Sequence, residues 1–352
     1  MTPPNTPKTI AGKPVGQVGY GMMNLTMSGK ISHEEAIKPM KAALEKGANF
    51  WNAGTFYGPP NANSLHLVKY YFTKYPEDAP RVVLSLKGAY DIRRQAPNCS
   101  AEGLRAAVDE ALRVLDGAKT IDLFECARID PEVPVETMVG TLVQLMREGK
   151  IGSYGLSEVS PDTVRRAHAV HPPAAVEEEL SLFTRHVLDA GGVADTCREL
   201  GVPLVGYSPM GAGWLTGQFK TLDDLPADDY RRRFPRFQPG AFERNVKLVE
   251  AVEAVAQRKG CTSAQIAIAW YVLLLPFLAY SSSVSANTGG PNRVLRQGVI
   301  AIPGATKVSR VEENCKLVEL TDAEAVDLQK AVDHAAVAGD RYPEAAKKYL
   351  SK

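Results

Sequence analysis

The sequence predicts a (β/α)8 barrel, and three observations carry that expectation. Short apolar runs alternate with longer amphipathic segments from residue 15 almost to the end, as parallel strands joined by helical crossovers do. Eight such runs follow one another in a single unbroken series. None is followed by G-x-G-x-x-G: the glycines at 19 and 21 continue as Met22 and Met23 without the third, which argues against a doubly wound dinucleotide-binding sheet.

Taken in order, the strands are expected at 15–21 (VGQVGYG), 47–52 (GANFWN), 81–87 (RVVLSLK), 120–126 (TIDLFEC), 151–156 (IGSYGL), 173–177 (PAAVE), 203–207 (PLVGY) and 299–302 (VIAI). The helices between them carry their own start signals. Ser32 with Glu35 three residues on forms a capping box, and Ser100 precedes the stripe Leu104, Ala107, Val108, Ala111, Leu112, Leu115 that Gly117 closes. Ser160 is followed by Pro161 at a first helical position. The stretch 276–298 departs from the even spacing. It reads as a Ser/Gly/Asn-rich link between a helix over 265–275 and the last strand, on the N-terminal face of the barrel.

The 352 residues, 45% hydrophobic and 23% charged, suit one barrel domain over 1–352, with its core at 15–320 and a C-terminal helix and loop at 321–352. A formal net charge of +1 provides no bulk field for nucleic acid or an anionic membrane, so a small-molecule partner is expected. Five cysteines stand singly, without metal-site spacing or the density of a disulfide scaffold, and no metal is expected. The N-terminal stretch has no signal or transit pattern, and the longest apolar run, 266–279, is interrupted by Pro276. It is also shorter than the roughly 20 residues a span requires, so a cytoplasmic location is expected. Oligomeric state is left open by the sequence.

In such barrels reactive groups sit at the C-terminal ends of strands. There the second strand gives Asn52 and then Tyr57, and the third ends in Lys87. A phenol titrates near 10, and a neighbouring ammonium stabilises its ionised form, so a close Tyr and Lys make a plausible acid pair. Taken one at a time, a tyrosine that packs and a lysine that points to water are the ordinary readings.

The words GYGMMN, FWNAGTFYG, VVLSLKG, IDLFECARID, REGKIGSYGLSEVS, GYSPMGAGWLTG, CTSAQIAIAW and IPGATKVSRVEEN occur in the order and spacing of the aldo-keto reductases, over about residues 15–320. The chain resembles that family, and its N-A-G-x-F-Y-G and F-E-C-A-R variants look most like the fungal pyridoxal-reducing branch. The resemblance implies a catalytic tetrad of Asp, Tyr, Lys and His, of which Tyr57 and Lys87 are present. Asn52 stands where the family usually has Asp, and Ala127 where it usually has His. Without the Asp, Lys87 is expected to be less neutralised and, once desolvated, to titrate lower.

The resemblance also implies NADPH as cofactor. Gly21 and Met22 would contact the cofactor, Ser157, Glu158 and Glu177 would face its nicotinamide carboxamide, and Tyr207 would stack on its ring. Ser208, Pro209, Met210, Gly211, Gly213 and Leu215 resemble a pyrophosphate strap. Lys307 and Arg310 at a helix start would meet the 2′-phosphate, and Glu313 and Asn314 the adenine. Phe56, Ala127 and Trp214 are expected around the substrate, with the tail near Arg341 and Tyr342 crossing the pocket. The implied activity is reduction of pyridoxal to pyridoxine, as in vitamin B6 metabolism. The alternatives are a reductase of other specificity, a non-catalytic NADPH-binding regulatory subunit, and a Schiff-base aldolase on Lys87.

Overall fold

The computed structural model describes residues 8–280, 299–335 and 337–350 of the chain. An antiparallel hairpin comes first, β1 (Lys8–Ile10) and β2 (Lys13–Val15). Then follow β3 (Tyr20–Gly21), β4 (Phe50–Gly54) and β5 (Val83–Gly88), and a second small hairpin, β6 (Tyr90–Asp91) and β7 (Ala96–Pro97). The series is completed by β8 (Leu123–Cys126), β9 (Tyr154–Ser157), β10 (Ala175–Glu179), β11 (Leu204–Tyr207) and β12 (Ile300–Ala301). The eight-stranded sheet is parallel in the order β3-β4-β5-β8-β9-β10-β11-β12, and the bridges Val18–Ala301 and Gly21–Gly304 bring its last strand beside its first. This is the (β/α)8 barrel, with its strands at the expected places.

The three expected helix starts are formed. Ser32 makes a capping box with Glu35, Ser100 accepts from the Gly103 N–H, and Ser160 accepts from Thr163 ahead of a helix that begins at Pro161. The stripe after Ser100 lies against the barrel, and that helix ends with Asp116 and Gly117 both left-handed.

Two features differ from the sequence expectation. Residue 15 belongs to the leading hairpin and not to the first barrel strand; Ala11 and Gly12, at φ 51° and 72°, supply the left-handed pair that a two-residue hairpin turn demands. The helix expected to stop at Leu275 runs over Ser263–Tyr280, through Pro276, and residues 281–298 of the expected link lie outside the described residues.

Alternation along the strands sorts side chains to two environments. Trp51, Leu84, Leu86, Phe124, Val176 and Leu204 point outward and pack under the helices. Phe50, Val83, Leu123, Ala175, Val205 and Ile300 point inward, and Ile10 and Val15 of the hairpin close this apolar layer at the N-terminal end. Two residues further along the same inward rows come Asn52, Ser85, Glu125, Glu177 and Tyr207, and then Lys87 and Glu179. A dry floor is thus topped by a polar layer, which is where the chemistry must lie.

Candidate active site

Parallel pairing places Lys87 opposite Glu125 and Glu177 opposite Ser157. Lys87, buried, sits with its Nζ 2.5 Å from Glu177 Oε1 and 3.0 Å from Glu125 Oε2. Asn52 Nδ2 donates to the other Glu177 oxygen at 2.8 Å and to Ser85 Oγ at 3.3 Å. Two expectations are corrected here. Lys87 does not lack counter-charge, because two carboxylates from other strands replace the absent Asp. Glu177 does not present a free carboxylate to the nicotinamide, because both its oxygens are engaged.

The electrostatics follow from this packing. Burial pulls Lys87 down, but Glu125 and Glu177 prevail and hold it above the ordinary lysine range, opposite to the lowering expected from desolvation alone. Burial pushes Glu177 up to about 8, with Lys87 opposing and Glu125 adding. Tyr57, half-buried just beyond β4, is pushed up to about 12, chiefly by burial; Lys87 and Arg128 act against that rise, and Glu177 and Glu125 reinforce it.

Around Tyr57 the walls are aromatic and small. Phe56 meets the Tyr57 ring edge-on at 5.0 Å and lies 5.6 Å from Tyr90. Ala127 is buried, tied by its N–H to the Gly88 carbonyl, and puts a methyl beside the β5 end. Trp214, expected at the substrate, is instead core: it is fully buried among Phe183, Phe237 and Phe242 at 4.5–5.1 Å. Its size and apolar ring make it the hub of that cluster. The side chains of Met22 and Leu215 are likewise buried in the core, so any part they take in cofactor binding is through backbone.

On the opposite wall Ser157 is buried and its Oγ has no hydrogen-bond partner, an orphan that a ligand amide or carbonyl would satisfy. The residues present thus fit a nicotinamide carboxamide at this position. Glu158, left-handed at φ 56°, is engaged by the C-terminal tail: Arg341 donates from both terminal nitrogens at 3.0 and 2.8 Å. Tyr207 donates to the same carboxylate at 2.8 Å, and its hydroxyl also meets that of Tyr342 at 2.9 Å. Although burial works against it, Arg341 holds Glu158 down at about 2. The tail therefore crosses the mouth, as expected.

Beyond β11 the chain turns sharply, with left-handed residues at Ser208, Gly211, Ala212 and Gly213; the Met210 carbonyl accepts from Gly213 and Leu215. Pro209 lies within this turn. Lys307 caps the helix Val308–Cys315, exposed, and Arg310 is exposed beside it with its guanidinium on Glu313 at 2.6 Å; Asn314 is buried. Sequence reasoning passed over Glu125, Arg128 and Glu179. A signal existed, since counting alternate residues from Leu123 puts Glu125 on the inward row.

Among the described residues no helix is long and apolar enough to cross a membrane. Residues 17–333 match the Aldo/keto reductase family. Probable pyridoxal reductase 2 of Schizosaccharomyces pombe is 37% identical, over 97% of this chain and 99% of its own length. Aldo-keto reductase yakc [NADP(+)] of the same organism is 32% identical, over 96% and 95%. A solved glycerol dehydrogenase from Gluconobacter oxydans superposes with a TM-score of 0.76 at 22% identity, covering 96% of this chain and 98% of that one. The chain belongs to the Aldo/keto reductase family, nicotinamide-dependent oxidoreductases of aldehydes and ketones.

Proposed function

We propose that the protein reduces pyridoxal to pyridoxine with NADPH, Tyr57 acting as the acid. The observation that carries the reading is the buried Lys87, fixed between Glu177 and Glu125 on the layer beside Tyr57. When bound, the reduced nicotinamide supplies a hydride to the aldehyde carbon. Tyr57 stays protonated across the physiological range and donates its proton to the carbonyl oxygen as negative charge gathers there. The phenolate left behind faces the positive charges of Lys87 and Arg128, which stabilise it without moving. Asn52 orients Glu177, and Glu177 with Glu125 fixes the ammonium.

Ser157 would hold the carboxamide, Tyr207 would lie under the ring, the 208–215 turn would strap the pyrophosphate, and Lys307 and Arg310 would take the 2′-phosphate. The orphan hydroxyl of Ser157 supports this placement, and the NADP(+) in one relative's name supports the phosphate preference. Pyridoxal is favoured by the name of the 37%-identical relative and by Ala127, whose methyl leaves room beside the carbonyl for an aldehyde with substituents on both flanking ring positions. The test is NADPH consumption with pyridoxal and simple aldehydes, with pyridoxine identified chromatographically. Rapid turnover of simple aldehydes with none of pyridoxal would leave only the general reductase.

A further inference from the structure

Lys87, Arg341 and Arg236, of the polar layer and its surroundings, each have an acidic partner. Lys87 has Glu125 and Glu177, Arg341 has Glu158 and Glu179, and Arg236 has Thr184 at 2.7 Å with Glu179 at 3.7 Å. Arg128 differs. It is half-buried, its Nη1 donates only to the carbonyl of the adjacent Ala127, and among the described residues no carboxylate lies within ion-pair distance. A guanidinium carries five N–H donors in a planar fork suited to two coplanar oxygens. Its carbon lies 5.9 Å from the centre of the Tyr342 ring, within the range of a cation–π attraction, which uses none of the N–H donors of the fork.

The position of this fork narrows what it can read. Ala127 is bonded to Gly88, the residue after Lys87, so Arg128 follows directly on the spot beside the β5 end. The carbonyl oxygen must lie at Tyr57. A second oxygen within reach of the same fork has to be borne by the neighbouring ring carbon. We propose that Arg128 is a specificity-determining residue, binding the aldehyde oxygen together with an ionised hydroxyl on the adjacent carbon, so that ortho-hydroxy aromatic aldehydes are the preferred substrate class. The proposal rests on the reductase reading and deepens it, pyridoxal being one such aldehyde.

Wild type, Arg128→Met and Arg128→Lys are compared on ortho- and para-hydroxybenzaldehyde, isomers that differ only in where the hydroxyl stands. The ortho-to-para ratio of kcat/KM should be at least about tenfold larger in wild type than in Arg128→Met, the size of one charge-assisted contact. Arg128→Lys, which keeps charge without the fork, should fall between them. Independently of turnover, adding wild type to the ortho isomer should increase its phenolate absorption band, and Arg128→Met should not. An equal ratio and an equal phenolate band in wild type and Arg128→Met overturn the assignment, and Arg128→Lys decides the matter if the Met variant fails to fold. Loss of the ratio with pyridoxal left unreduced would discard pyridoxal but keep Arg128. Reduction of pyridoxal with an unchanged ratio would do the reverse.

Discussion

Replacing Glu177 by Gln tests whether Lys87 is governed by charge reaching it from across the barrel. The two carboxylates lie 2.5 and 3.0 Å from one nitrogen. At an effective dielectric near 20 each attracts the ammonium by on the order of 5–7 kcal/mol, while the two repel each other. Burial costs each ion several kcal/mol more. The balance goes against the second charge, and Glu177 is pushed up from 4.5 to about 8, chiefly by burial. A carboxyl whose folded value lies above its unfolded one binds its proton more tightly when folded. The stability it contributes is complete below about pH 4.5 and is lost as pH rises through about 8. At about 1.4 kcal/mol per unit that loss is on the order of 5 kcal/mol, a large share of the roughly 5–15 of an ordinary protein. Gln has no such proton to lose. Urea midpoints should therefore show the variant within about 1 kcal/mol of wild type near pH 5, and more stable by a few kcal/mol near pH 9. Because Glu177 also raises Tyr57, the variant's alcohol oxidation, which needs the phenolate, should begin its rise at lower pH. A variant less stable than wild type near pH 9, with an unmoved pH profile, would refute this account of the cluster.

Tyr57→Phe should lower kcat by about 10²–10⁴ while NADPH affinity, read by fluorescence titration, stays near normal; wild-type turnover would remove the mechanism. Trp214→Ala should destabilise by about 3–5 kcal/mol in urea unfolding, as befits the centre of a buried aromatic cluster, and a stable variant with altered KM would return Trp214 to the substrate pocket. Arg310→Ala should weaken NADPH about tenfold or more beyond its effect on NADH, although a 2′-phosphate must first draw the guanidinium from Glu313. Equal losses for both cofactors would place the phosphate elsewhere.

The barrel was legible because each crossover announces itself locally. Ser32 with Glu35, Ser100, and Ser160 before Pro161 are signals read within four residues, and all three cap helices. The β1–β2 hairpin was missed because Val15 is apolar whether it opens a barrel strand or closes the barrel floor. At the site, Tyr57 and Lys87 were found by motif, and neither Glu177's true partners nor Trp214's burial could be. Both depend on contacts between residues far apart in sequence: Glu177 with Asn52 spans 125 positions, and Trp214 is enclosed by side chains from three other segments. Arg341 on Glu158 spans 183 and is still less local.

The Lys87 cluster shows why strand-by-strand comparison misjudges a barrel. Reading β4 alone, Asn52 is a lost charge. Inward residues of a barrel meet in layers drawn from several strands, so the counter-ion of a lysine can come from any strand that feeds the same layer. Here β10 supplies one carboxylate and β8 another. Asn52 keeps a part in the arrangement: its amide holds one Glu177 oxygen, which leaves the other directed at Lys87. An ionised Asp at position 52 could not donate to that oxygen, and its charge at hydrogen-bond distance would push Glu177 higher still. The amide on β4 and the acid on β10 are therefore a matched pair, and neither substitution is intelligible without the other.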